Sequence, residues 1–451
     1  MEWYFALAIL FGGFVALLLT GVPVAFAFLV VNLAGIYFFW MGAIGLNQFI
    51  LSIYDSVTIF ALLPVPLFVL MGEVMFHSGV APRMMDVVDK WLGRLPGRLG
   101  LVAVGGGTIF ATLSGSAVSG TAMLGSVLVP DMERRGYKKP MSLGPILGSG
   151  GLAIMIPPSA LGVLLASLSR ISVGGLLIAI IFPGLAMALL YGTYIIVRCW
   201  LQPSIAPSYE PVRVSLSDKL MSAVKYVLPL GLILFLVIGV IFLGIATPTE
   251  AAASGSLGCF LLAAAYGKLN WEMLKKSIGA TLQVTVMMFM IFIGSSTFAQ
   301  LLAYTGASRG LLEFAVGLPL SPIFLLMTMQ IILLAMGTFM EPLSIMMVTL
   351  PIYMPIIHAM GFNPLWFGAI MLLNMEMAVT SPPFGLSLFV MKGVAPPDTT
   401  MGDIYRAALP FLGCDLVVMV AMIFFPPLVL WLPGTTKSAS LALPRKRSYM
   451  R

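Results

Sequence analysis

Ser114-Gly115-Ser116-Ala117-Val118-Ser119-Gly120-Thr121 stands in the middle of Leu99–Pro130, an otherwise apolar run without a single charge. As one helix, these roughly 32 residues would be about 48 Å long. The hydrocarbon core of a bilayer is only about 30 Å thick. Folded back at the Ser/Gly cluster, each arm is about 22 Å long and stops inside the membrane. The flanks agree with a fold-back. Arg94 and Arg98 precede the run, and Arg134, Arg135, Lys138 and Lys139 follow it. Two basic ends belong on the same, cytoplasmic side. A re-entrant hairpin meets that demand and a single span does not.

Composition sets the wider class. The chain has 451 residues, 60% hydrophobic and 9% charged, against about 25% charged in soluble domains. A soluble enzyme and a disordered chain are both excluded, which leaves a polytopic membrane protein. Cys199, Cys259 and Cys414 have no paired spacing, and His77 and His358 are the only histidines. No disulfide framework, zinc site or two-histidine motif follows from them. The net charge of +7 fits basic cytoplasmic loops rather than nucleic acid. Gly105-Gly106-Gly107 has no Gly-Lys-Ser/Thr after it, so it is not a phosphate loop and ATP is not expected. The N-terminus, with Glu2 and no basic residue before Trp3–Leu19, reads as an uncleaved first span.

Twelve apolar runs follow one another, too long and too unpatterned for barrel strands, and helices satisfy their backbone in lipid. Four of them are not simple spans. Leu318–Ala359 repeats the length problem at about 42 residues, with Glu341 as its only charge in Gly337-Thr338-Phe339-Met340-Glu341-Pro342. It reads as a second hairpin entering from the opposite side. Met141–Leu168 contains Gly148-Ser149-Gly150-Gly151 and Pro157-Pro158-Ser159, and Pro364–Met391 contains Thr380-Ser381-Pro382-Pro383-Phe384-Gly385. A double proline removes two backbone donors, so each helix, together with the Gly148–Gly151 segment of the first, is expected to unwind and leave free carbonyls in the membrane. Ser56–Phe76 reads as one uninterrupted span, Glu73 as interfacial and Asp415 as lying near an interface.

These landmarks recur at one offset. Pro23 and Pro248, Ser116 and Glu341, Pro157 and Pro382 are each 225 positions apart, which argues for duplication. Residues 1–225 form the first repeat, with a hairpin at about 99–130 and a broken helix at about 141–168. Residues 226–432 form the second, with a hairpin at about 318–359 and a broken helix at about 364–391. A basic tail, 433–451, ends the chain. Each half holds three spans, a short polar arm (Val80–Leu95 or Gly306–Val316), a hairpin, a broken span and a final span. That makes about ten spans and two hairpins in an all-α polytopic protein. Five crossings per half is an odd number, so the second repeat is inverted. Setting aside Arg170, Arg309 and the five basic residues of the tail leaves 17 of 24 Lys and Arg on the cytoplasmic side.

Inverted repeats with discontinuous helices mark secondary transporters that bind near the midplane. Half-helix N-termini attract an anionic substrate, and hydroxyls with unwound carbonyls offer hard oxygen ligands to a small cation. Ser114, Ser116 and Gly150 are the candidates for one sodium site, and Gly337, Thr338 and Thr380 for another. Ser119, Thr121, Ser159, Glu341 and Ser381 are candidates for the substrate. Small polar residues in membrane helices also serve close packing; two matched clusters, each followed by a double proline, favour function. Glu341 and Glu376 are functional candidates as ionisable groups in membrane runs.

Phe68-Val69-Leu70-Met71-Gly72-Glu73, Ser114-Gly115-Ser116, Ile156-Pro157-Pro158-Ser159, the Gly337–Pro342 segment and Asn374-Met375-Glu376 with Ser381-Pro382-Pro383-Phe384-Gly385 together resemble the large membrane subunit of tripartite ATP-independent periplasmic (TRAP) transporters. The resemblance covers about residues 3 to 432. It implies a sodium-driven elevator in the bacterial inner membrane, a small four-helix membrane partner, and a periplasmic binding protein that delivers an organic acid. The family's second proline motif usually reads Thr-Pro-Pro-Val-Gly with Asn soon after; here Ser381 and Phe384 replace Thr and Val, and Ser387 follows. The chain starts directly with the first repeat, so the small subunit is expected as a separate polypeptide. A self-sufficient sodium/dicarboxylate symporter is the alternative, although such carriers favour Ser-Asn-Thr at both hairpin tips. An intramembrane enzyme lacks a catalytic set, and the inversion disfavours a channel.

Overall fold

The computed structural model describes residues 2–40, 43–93, 95–114, 117–207, 215–338 and 340–435. Arg94 and the tail residues from Lys437 onward lie outside them. Helices are the only extended regular elements among the described residues. In the first half these are α1 (Trp3–Leu19), α2 (Val24–Phe39), α3 (Ala43–Val57), α4 (Pro64–His77), α5 (Ala81–Leu92), α6 (Arg98–Ser114), α7 (Ala117–Arg134), α8 (Lys139–Met155), α9 (Ala160–Leu168), α10 (Val173–Ala179) and α11 (Ile181–Leu201). The second half has α12 (Leu216–Ser222), α13 (Leu228–Phe242), α14 (Pro248–Ala265), α15 (Trp271–Tyr304), α16 (Ala307–Gly317), α17 (Pro322–Gly337), α18 (Pro342–Ala359), α19 (Pro364–Thr380), α20 (Leu386–Val394), α21 (Met401–Phe424) and α22 (Pro427–Gly434).

Six described helical stretches are long and apolar enough to cross a bilayer, or seven when α8 and α9, bent by 42° at their break, count as one. The protein is therefore an all-helical, multi-pass membrane protein. The figure of about ten spans came from counting apolar runs. Several of those runs yield helices shorter than a crossing, because Gly21 turns with φ +83° before Pro23 and the double prolines cut others. Ser56–Phe76 supplies one of these six stretches, Phe60–His77. α3 stops at Val57, a 3-10 turn covers Phe60–Leu62, and α4 starts at Pro64, where a proline costs nothing in the first turn. The amphipathic α3 before it escaped the sequence reading. The matching region of the second half runs unbroken as α15, 34 residues capped by the Asn270 side chain on Met273 N (2.8 Å). The two arms are helices, α5 and α16.

The core sits around α8 and α19. Every residue of Met141–Met155 and of Trp366–Thr380 is buried. α8 packs on α6, α7, α11, α19 and α21. Gly148–Gly151 does not unwind, contrary to the sequence reading. It is helical, and only Ile156–Ser159 breaks the chain. These glycines act by absence of bulk. A Cβ on Gly144 or Gly148 would stand 2.6 Å from the Phe411 ring of α21, so the ring fills a groove cut by two residues one turn apart. A second body surrounds this core. Phe14, Phe28 and Phe298 stack α1, α2 and α15 together. Asn32 Nδ2 donates to Gly294 O (2.7 Å), and Gln300 Nε2 to Ser52 Oγ (3.0 Å). Ser256 Oγ donates to Leu67 O (2.7 Å), which ties α14 to α4. Outward residues such as Phe235, Leu261, Phe324 and Ile331 are exposed, as a lipid-facing surface requires.

Phe411→Ala empties the Gly144/Gly148 groove and is expected to lower stability by about 3–5 kcal/mol, read as a lower unfolding midpoint in detergent. Gly148→Val, which inserts bulk into the same groove, is expected to be at least as damaging.

Candidate functional site

A cavity of about 160 Å³ lies where both fold-backs and both helix breaks meet. Ala117 and Val118 open α7, Ala160 and Leu161 open α9, Glu341 and Pro342 stand at the start of α18, and Leu386 opens α20; all of them line it. Ile154 and Val379, near the last turns of α8 and α19, line it too. Four half-helix N-termini thus converge on one space. Each brings backbone N–H groups without intrahelical partners and the positive end of a dipole. The opposite wall is α15 (Val284, Met287, Met288) and α4, which contributes Glu73. Glu73 faces this cavity and pairs with His77 Nε2 at 3.4 Å, one turn on. Glu341 accepts from Ser344 Oγ (3.3 Å). The lining thus carries two carboxylates and no basic side chain among the described residues.

The other sequence candidates fall around this space. Ser116 lies outside the described residues, as do the side chains of Ser114 and Ser119. Thr121 is fully buried on α7 and faces Gly150 of α8 so closely that a Cβ there would stand 2.3 Å from its Oγ1, and that hydroxyl has no partner. Gly337 of α17 meets Ala378 of α19 in the same way, with 2.2 Å between an added Cβ and the Ala378 Cβ. Thr338 donates to Ala335 O (2.7 Å), Thr380 to Met377 O (3.2 Å) and Ser381 to Met377 O (2.7 Å). Their protons are spent on their own turns, and their oxygens keep lone pairs free. Ser159 caps α9 by accepting from Gly162 N (3.1 Å).

Residues 11–428 match the family model described as tripartite ATP-independent periplasmic transporter, DctM component. The chain belongs to this family. The C4-dicarboxylate TRAP transporter large permease protein DctM of Pseudomonas aeruginosa is 34% identical over 387 residues, 85% of this chain and 88% of that protein. The isethionate TRAP transporter permease protein DctMQ of Oleidesulfovibrio alaskensis is 30% identical over 436 residues, 95% of this chain and 66% of that protein. Among solved structures, the Alcanivorax borkumensis YdaH transporter superposes with a TM-score of 0.63 at 15% identity, covering 86% of this chain and 90% of that one. It shares the fold. DctM proteins are transporter permeases, not enzymes.

Beside the DctM cavity lies a cluster that sequence reasoning located only in part. Asp415 is 1% exposed and accepts a short hydrogen bond from the Tyr191 hydroxyl. The Glu376 carboxyl lies against it and packs on Gly151, where any Cβ would collide with Oε1. One proton shared between the two acids makes one the donor and the other the acceptor, since their carboxyl groups lie within hydrogen-bond reach. The signal for Glu376 was its isolation in an apolar run. Asp415 and Tyr191 are 224 positions apart and nothing local joins them.

Asp415→Ala leaves the Tyr191 hydroxyl buried and unpaired, an expected loss of about 1–3 kcal/mol. Asp415→Asn keeps the acceptor and adds an amide donor for Glu376, so its unfolding midpoint is expected to lie clearly above that of the alanine variant.

Proposed function

We propose that this chain is the membrane-embedded large subunit of a sodium-coupled importer of organic acids in the bacterial inner membrane. It works by an elevator motion, with a small four-helix membrane subunit and a periplasmic binding protein that delivers the substrate. The observation that carries the reading is the convergence of four half-helix N-termini and two carboxylates on one cavity. The N-termini suit an anion; Glu73 and Glu341 suit the cation that travels with it. Sodium ligands on this reading are Ser114, Ser116 and Gly150 in the first half and Gly337, Thr338 and Thr380 in the second. Thr121, Ser119, Ser159 and Ser381 ring the substrate, and Glu341 serves as counter-charge.

The element bounds support a duplicated chain. α7 and α18 begin and end 225 positions apart, and so do α8 and α19. Inversion follows from the odd number of crossings per half, and it places the first hairpin's ends in the cytoplasm and the second's in the periplasm. The core around α8 and α19 is the part that moves, against the body built on α1–α4 and α13–α16. A Pseudomonas relative named for C4-dicarboxylates supports a dicarboxylate-like substrate. The isethionate relative shows that anion chemistry varies across the family.

Proteoliposomes holding the chain with candidate partners are expected to take up organic acid only under an inward sodium gradient. Ser116→Ala is expected to raise the half-maximal sodium concentration several-fold without loss of protein. Saturable low-micromolar uptake by this chain with no other polypeptide would replace the tripartite reading with the self-sufficient symporter. Orientation has its own test. In a background without Cys199, Cys259 and Cys414, Arg135→Cys should be shielded from an impermeant thiol reagent outside, and Ser321→Cys labelled; matching outcomes at both would remove the inversion.

A further inference from the structure

A second and larger cavity, about 670 Å³, opens beyond the end of α9, between α15 and α18. Its polar lining is Ser167, Ser169, Arg170, Ser295, Ser296, Gln300 and His358, with no carboxylate among the described residues. Its charge is therefore opposite to that of the central cavity. Arg170 is exposed, and no carboxylate pairs with it among the described residues. Two neighbouring polar atoms are buried without partners, Ser169 Oγ and Gln300 Oε1.

The backbone singles out the same residue. Arg170 has φ +54°, the only positive φ outside glycine among the described residues. It sits just past α9, where Arg170 N reaches Ser167 O (3.3 Å) and Ile171 N reaches Ala166 O (3.0 Å). Glycine is the ordinary residue at such a helix end, and nine described glycines take up the positive-φ turns elsewhere. A side chain held there at a conformational cost points to a use for that side chain.

The two cavities lie along the same two helices, with a small third pocket between them. α9 lines the outer one with Ser167, a narrow gap with Leu164, and the central one with Leu161. α15 lines the same three in turn with Gln300, Phe292 and Met287. The gap between has room for about one water and is lined by apolar side chains apart from Thr285.

We propose that the outer cavity is an anion-binding vestibule in which the Arg170 guanidinium holds the carboxylate of the substrate, with Ser169 as a second donor, before the substrate passes the apolar gap. A planar guanidinium suits a carboxylate because it donates two parallel hydrogen bonds. This rests on the importer reading above, and the experiment separates the two.

Arg170→Gly relaxes the backbone and removes the guanidinium, so the variant is expected to unfold at or above the wild-type temperature. Succinate serves as the carboxylate probe. Its affinity for the detergent-purified chain, by calorimetry, and its half-saturating concentration in sodium-driven uptake should both weaken about tenfold or more. Arg170→Lys should fall between, and Arg309→Gln, a charge removed elsewhere, should match wild type. Unchanged succinate affinity in a well-folded Arg170→Gly overturns the vestibule, and so does an effect confined to docking of the binding protein. Loss of sodium dependence in the wild type would instead strike the importer reading and leave the calorimetric comparison standing.

Discussion

Two broken helices have to touch in the middle of this protein, and the contact is possible only because one of them has lost its side chains. Glu376 of α19 rests on the bare backbone of Gly151, and Phe411 of α21 enters the groove of Gly144 and Gly148. Burial of a carboxyl group is costly unless it is matched, so this seam carries both the tightest packing and the most demanding polar chemistry of the fold. The placement of the hairpins follows from it. α7 reaches α8 through Thr121 and Gly150, and α17 reaches α19 through Gly337 and Ala378.

That seam also explains why the cavity has its charge pattern. With α8 and α19 fixed back to back, their breaks at Ile156–Ser159 and Ser381–Gly385 turn α9 and α20 toward the same space. The N-termini of those short helices meet those of α7 and α18 there. An array of dipole ends attracts anions, whereas Glu73 and Glu341 beside it attract cations. On the reading proposed above, these two signs serve an acid and the cation that travels with it.

Much of this was legible in the residues. The double prolines marked the breaks at Ile156–Ser159 and Ser381–Gly385, because those rest on local chain physics. Gly148–Gly151 misled for a physical reason. Glycine lowers helix propensity in isolation, but close neighbours on both sides hold the segment helical. The burial of Asp415 was out of reach of a local reading because its partner Tyr191 lies 224 positions away in the chain. The interruption at Thr58–Leu63 was hidden by an apolar run that stays apolar through a turn, and hydropathy does not register where a helix stops.

The unbroken α15 has a consequence of its own. Its 34 residues make it a rigid bar about 50 Å long, and it borders both cavities and the gap between them. From Gln300 to Met287 is about 20 Å along its axis. A bar of this kind works as a ruler. On the elevator reading proposed above, whatever slides past it is measured in helical turns, and the stride is set by the spacing of a few side chains on one helix.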